Sequence, residues 1–268
     1  MRRTPWLGSV LAAAALAGCG GGGATTSTRP RRPAPRTDPA AVLARASVPV
    51  LCYHQIRAPT AADSAQDRAY IVAPGVFARQ MRTLRRAGYT TITGDALVAH
   101  VARGAPLPAK PVLLTFDDGS EGQMTHALPI LRRLRFRATF FVMTVVLGKP
   151  GWLSRRQVRA LDREGMTIGA HTWDHHAVTT YGDADWATQL TAPARELAGI
   201  VGHPIRLFAY PYGLWNSAAF PHLAAAGYTA AFQLAEALDP HQPLWTLRRI
   251  AVPQVGGRQL LHELRADF

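Results

Sequence analysis

Pro111-Val112-Leu113-Leu114-Thr115-Phe116-Asp117-Asp118-Gly119 is an apolar run that ends abruptly in two carboxylates and a glycine. Its first six residues, bounded by polar residues and rich in apolar and β-forming side chains, predict a buried strand. Working outward, apolar stretches of strand length recur at 48–53, 89–92, 138–142, 166–170, 205–210, 228–232 and 247–252. Helical patterns fall between them. Val76 to Ala87 places Phe77, Met81 and Leu84 on one face and stops at Gly88. Asp95 to Val101, Met124 to Leu134 and Ser217 to Ala226 follow the same period, and Ser154 is placed to cap a helix running through Leu161 to Gly165. Asp183 to Ile200 predicts a long helix bent at Pro193. Strand and helix alternate about seven times, which favours an α/β fold with a parallel sheet, open or closed into a barrel. In both architectures chemistry belongs at the C-terminal ends of the strands.

Composition narrows the function classes. The 268 residues are 48% hydrophobic and 18% charged, enough apolar material for a large core. The net charge is +13, carried by 28 arginines and only two lysines, Lys110 and Lys149. Arginine beside abundant alanine fits a GC-rich genome. No Lys/Arg stripe with interleaved aromatics is present, so no nucleic-acid partner is expected; an anionic envelope or polysaccharide surface would suit the charge.

The chain starts with Arg2-Arg3, an uncharged apolar run from Trp6 to Gly18, and Leu16-Ala17-Gly18-Cys19. The run is too short to span a bilayer as a mature helix and predicts a secretory signal. Its end resembles a bacterial lipobox, so residues 1–18 are expected to be removed and Cys19 lipidated. The Gly-, Thr-, Pro- and Arg-rich stretch that follows predicts a flexible tether over 19–46 and a single domain over 47–268. The expected location is the cell surface or periplasm, anchored through Cys19 as the only membrane attachment; plain secretion is the alternative. Cys52 lies in an apolar strand and is expected to be a buried small hydrophobe, so no disulfide framework is predicted.

Three polar clusters sit at strand ends. In Asp117-Asp118, one carboxylate binding a metal and the other serving as a base would resolve the cost of burying both. His171-Thr172-Trp173-Asp174-His175-His176 carries two imidazoles four residues apart, able to share a metal. Two imidazoles and a carboxylate make a three-ligand site with positions left for water, the composition of a catalytic divalent-metal centre. Phe208-Ala209-Tyr210-Pro211-Tyr212-Gly213 is a tight turn whose Tyr212 N–H can face an anion.

Together, Thr-Phe-Asp-Asp-Gly, His-Thr-x-x-His and the aromatic-Pro-Tyr-Gly turn, in this order over 111–232, resemble the polysaccharide deacetylases, the family 4 carbohydrate esterases. The resemblance implies a distorted (β/α) barrel and a metal-dependent N-deacetylase. It implies Asp117 as general base and Asp118, His171 and His175 as metal ligands, with His176 competing for the last place. Zn²⁺ suits such a set, and cobalt or nickel could substitute. The chain departs from the family in two places. Ala209 stands where many members carry an arginine that orients the base, and no late Leu-x-His supplies an acid. Both departures resemble the poly-β-1,6-N-acetylglucosamine deacetylase branch, which has an early Tyr-His, here Tyr53-His54. That resemblance implies His54 as general acid and Tyr212 N–H as an oxyanion donor. Trp173, Tyr210 and Trp215 are candidate sugar-stacking surfaces. The expected partner is an acetylated amino-sugar polysaccharide, and the expected state a monomer. A deacylase of small substrates and a non-catalytic glycan-binding lipoprotein are the alternatives.

Overall fold

A computed structural model describes residues 37–234 and 236–268. The signal expected over 1–18, the lipidation site Cys19 and the tether up to residue 36 lie outside those residues. The folded unit starts at Thr37, ten residues before the expected 47. Pro39–Arg45 (α1) is a helix: Asp38 caps it by accepting from Ala40 N, and Val42 is buried. That helix is too short to betray itself by periodicity among so many prolines and arginines.

Eight strands form one sheet: Val50–Tyr53 (β1), Thr90–Ile92 (β2), Pro111–Phe116 (β3), Thr139–Val142 (β4), Thr167–Ala170 (β5), Leu207–Ala209 (β6), Ala230–Phe232 (β7) and Ile250–Ala251 (β8). Every strand pairing is parallel, in the order β7-β6-β5-β4-β3-β1-β8. The quoted stretch is the hinge of this arrangement. One edge of β3 pairs with β1 along Leu113–Phe116. Its other edge is divided, pairing with β2 at Pro111–Leu113 and with β4 at Thr115–Phe116. The sheet curls until Leu247, just before β8, donates to Ala231 O (2.9 Å) and accepts from Gln233 N (3.0 Å). The result is a distorted (β/α) barrel.

The other helices are Ala65–Ala69 (α2), Pro74–Arg86 (α3), Gly94–Arg103 (α4), Leu128–Leu134 (α5), Arg155–Arg163 (α6), Ala192–Val201 (α7), Ala219–Ala225 (α8) and Gly257–Asp267 (α9). Ser154 caps α6 in a capping box with Gln157. The bend expected at Pro193 takes the form of a π-turn over Ala187–Thr191, after which α7 begins one residue before the proline. Pro129 follows a second π-turn, Gln123–Ala127, in the same way. A proline has no N–H to give the preceding turn, and one extra residue in that turn absorbs the loss.

Strand residues alternate between two buried layers. Leu51, Tyr53, Leu114, Phe116, Phe140 and Phe208 join the layer packed under the helices, with Phe116 stacked on Phe140 at 4.8 Å. Val50, Leu113, Phe141, Leu207 and Phe232 form the second, with α1 and α4 contributing Val42, Leu97, Val98 and Val101. Apart from Arg249, the polar clusters described next follow directly on the ends of β1, β3, β5 and β6, where the parallel-sheet rule places chemistry.

Candidate active site

The tip of β3 turns back at once. Asp117 N extends the ladder to Tyr53 O (2.9 Å), then Gly119 N donates to Asp117 O (2.9 Å) across Asp118, whose φ is +73°. After β5, Thr172 (φ +65°) and His175 (φ +71°) hold the histidine loop, with Thr172 Oγ1 accepting from His175 N at 2.9 Å. After β6, Tyr212 sits at φ +59°. Among the described residues only Lys110 and Arg135 are further non-glycine residues with left-handed backbone. Four strained positions thus converge on one rim, as happens where backbone strain serves a site.

These turns bring Asp118, His171 and His175 together, with one ligand atom of each lying within 4.8 Å of the others. Asp118 Oδ1 is 3.4 Å from His171 Nε2 and 3.5 Å from His175 Nε2. His176 is elsewhere: exposed, its Nδ1 3.1 Å from Asp174 Oδ2. His171 Nδ1 donates to Ala209 O at 2.8 Å, because a carbonyl can only accept. His171 Nε2 faces Asp118, whose buried Oδ1 has no hydrogen-bond partner. Burial lowers this imidazole, but Asp117 and Asp118 outweigh it and hold it above its ordinary value, so a bound cation would replace the Nε2 proton and leave an acceptor there. Acceptors facing one another across about 3.5 Å are a cradle for a cation, and the backbone bond to Nδ1 is the outer support that metal-binding histidines use. The residues present fit a divalent metal with two nitrogen ligands and one oxygen ligand. Burial pushes His175 down to about 4, with His171 adding to the effect, so this imidazole is neutral and able to ligate near neutral pH.

Asp117 belongs to a second group. Arg249, fully buried, grips it as a fork: Nη1 to Oδ1 at 2.7 Å and Nη2 to Oδ2 at 2.8 Å. Arg249 also donates to Thr115 Oγ1 (3.2 Å) and Gln233 O (3.3 Å), and lies 5.3 Å from the Phe141 ring centroid. Burial alone would raise the Asp117 carboxyl, but the Arg249 charge and hydrogen bonds together with His171 and His54 outweigh it and hold the group well below the usual carboxylate range. Cys52 Sγ donates to Asp117 Oδ2 at 3.5 Å. A ring nitrogen of His54 lies within 4.8 Å of both Cys52 Sγ and an Asp117 oxygen, placing His54 at the same rim. Gln123 Nε2 ties the two strand tips by donating to His54 O (2.9 Å) and Asp117 O (2.5 Å). Burial lowers His54, and Asp117 and Asp118 only partly offset it.

Residues 104–231 match the family profile described as polysaccharide deacetylase. The chain carries a polysaccharide deacetylase domain. The chain is 24% identical over 204 residues to the poly-beta-1,6-N-acetyl-D-glucosamine N-deacetylase of Staphylococcus aureus (strain MRSA252), covering 70% of each sequence. Its fold is similar to that of the Streptococcus pyogenes deacetylase PplD in complex with acetate (TM-score 0.72, 24% identity, 81% of this chain and 97% of that one). It is also similar to IcaB from Ammonifex degensii (TM-score 0.68, 25% identity, 81% and 96%). His54 and Arg249 both lie outside the matched segment.

Arg249 is the residue that sequence reasoning missed. The chain fills the gap left by Ala209 from the opposite edge of the sheet, just before β8, and the sequence offered one hint: two arginines, Arg248 and Arg249, inside the apolar run 247–252. The aromatic expectations need correction. Tyr210 is fully buried and offers no face to a sugar, while Trp215 is half-buried with one face stacked on Phe220 at 5.6 Å. Trp173 is exposed as expected. Tyr70, unremarked in the sequence, is exposed and edges onto His54 at 4.8 Å, and exposed Tyr212 does the same to His175 at 4.4 Å.

Proposed function

We propose that this deacetylase is a metal-dependent hydrolase that removes N-acetyl groups from an amino-sugar polysaccharide. The observation that carries the reading is the joining, on one rim, of a cation cradle with a carboxylate held ionised by a buried arginine. Asp118, His171 and His175 would hold the metal, for which two nitrogens and a carboxylate favour Zn²⁺, and which would supply Lewis acidity toward the acetyl carbonyl and a water. Asp117 accepts the proton of the attacking water; its lowered proton affinity keeps it available across the neutral range. The Tyr212 N–H stabilises the oxyanion. His54 gives a proton to the departing amine, which is a poor leaving group without it. A polymeric substrate is supported by the exposed Tyr70, Trp173 and Tyr212 at the rim, which suit sugar rings better than a closed small-molecule pocket would. The Staphylococcus aureus relative's name points to β-1,6-linked N-acetylglucosamine.

The experiment is acetate release from N-acetylated glucosamine polymers and from an activated acetyl ester, in wild type and His54→Ala across pH. His54 must be protonated to act, so its contribution is present below its pKa and lost as pH rises. Because burial lowers that pKa, the high-pH limb of kcat/KM for the polymer is expected below the ordinary histidine value of about 6.5. His54→Ala should remove that limb, cut polymer hydrolysis and spare the ester, whose leaving group needs no proton. Equal losses on both substrates would remove His54 from the acid role; activity on the ester alone would favour a small-substrate esterase.

The same proposal puts the enzyme at the cell surface or in the periplasm, anchored through a lipid on Cys19. The mature N-terminal peptide should carry lipid mass, and Cys19→Ser should release the protein from membranes; an unmodified N-terminus would indicate a plain secreted protein.

A further inference from the structure

We infer that Cys52, His54 and Asp117 form a second metal site, distinct in every residue from Asp118/His171/His175, whose occupation by a thiophilic divalent cation inhibits the enzyme. Cys52 sits in β1 opposite Thr115 of β3 and Ala251 of β8. Its thiol is fully buried and points at Asp117, not into the hydrophobic layers. Its Sγ, a His54 ring nitrogen and an Asp117 oxygen lie within 4.8 Å of one another, the same closeness that defines the first site.

The donor sets differ in kind. The first site offers nitrogen and carboxylate oxygen. The second adds a sulfur, which favours Zn²⁺, Co²⁺ or Cd²⁺ over Mg²⁺ or Ca²⁺. Binding replaces the Cys52 S–H proton, which leaves to solvent; nothing is oxidised or reduced. Arg249 does not block the site, since each Asp117 oxygen uses one lone pair on the guanidinium and keeps another. Its positive charge also offsets the thiolate that binding creates. His54 is only half-buried and gives the cation a way in.

The consequence for activity rests on the proposed reaction: a cation here engages the base and the acid at once. The deacetylase would thus be switched on by a first equivalent of metal and off by a second. The binding itself does not depend on that reading.

The test uses full-length protein freed of metal and titrated with Co²⁺, read by absorption and by acetate release from N-acetylglucosamine polymer. The first equivalent should turn on acetate release without thiolate-to-cobalt charge-transfer absorption. The second should bring in that absorption and suppress release. Cys52→Ser should lose the absorption and shift suppression to higher metal concentration. Binding of one equivalent only, no thiolate absorption at saturating cobalt, or suppression unchanged in Cys52→Ser would overturn the second site. Thiolate absorption in a protein that never releases acetate would leave the second site standing and sink the proposed activity instead.

Discussion

Asp117→Asn is expected to lower kcat for deacetylation about 10²–10⁴-fold, the usual loss for a missing general base, while bound metal stays at one per chain. Asparagine keeps the size of the side chain and cannot take a proton. Metal retention follows from the geometry, because the cradle uses Asp118, His171 and His175, with Asp117 turned toward Arg249. The variant should also be less stable, since one arm of the buried guanidinium then meets an amide N–H₂. Activity must therefore be compared well below its melting temperature. If Asp117→Asn lost the metal and Asp118→Asn kept it, the two roles would have to be exchanged.

Arg249→Met should destabilise the fold by about 3–5 kcal/mol, because removing one partner leaves the other as an uncompensated buried charge. Its pH signature separates positioning from simple packing. In the wild type Arg249 is the largest influence opposing burial and, with His171 and His54, keeps Asp117 ionised to low pH. The pair's contribution to stability is thus fully present above the ordinary carboxylate range and lost only as pH falls through the lowered native value. Without Arg249, burial is opposed only by His171 and His54 and the Asp117 carboxyl rises, so the acidic limb of kcat/KM should move to higher pH. Arg249→Lys restores the charge but not the fork and should recover part of this shift. An acidic limb that stays in place in a folded Arg249→Met protein would show that Arg249 does not set the state of the base.

Much of the site was legible because its residues adjoin strands in sequence. Asp117-Asp118 follow β3, His171 follows β5 and the Tyr212 turn follows β6, so an apolar run ending in polar residues marked each. Arg249 was not legible in this way: it meets Asp117 from 132 residues away, through the register of the last strand. Tyr70 was missed because α2, which precedes it, has no buried residue and so no apolar period to read. Tyr210 was misplaced for a related reason. A tight turn directs alternate residues inward and outward, and which aromatic faces water depends on where Pro211 and the left-handed Tyr212 turn the chain. The choice between His175 and His176 needed the backbone as well, since the Thr172 and His175 torsions swing one ring toward Asp118 and leave the other with Asp174.

The most direct measurement is acetate release from poly-β-1,6-N-acetylglucosamine by exhaustively demetallated protein, before and after adding back one equivalent of Zn²⁺ or Co²⁺. The account predicts no release without metal, recovery at one equivalent, and no recovery in a folded His171→Ala variant. Full turnover in the demetallated sample would contradict it.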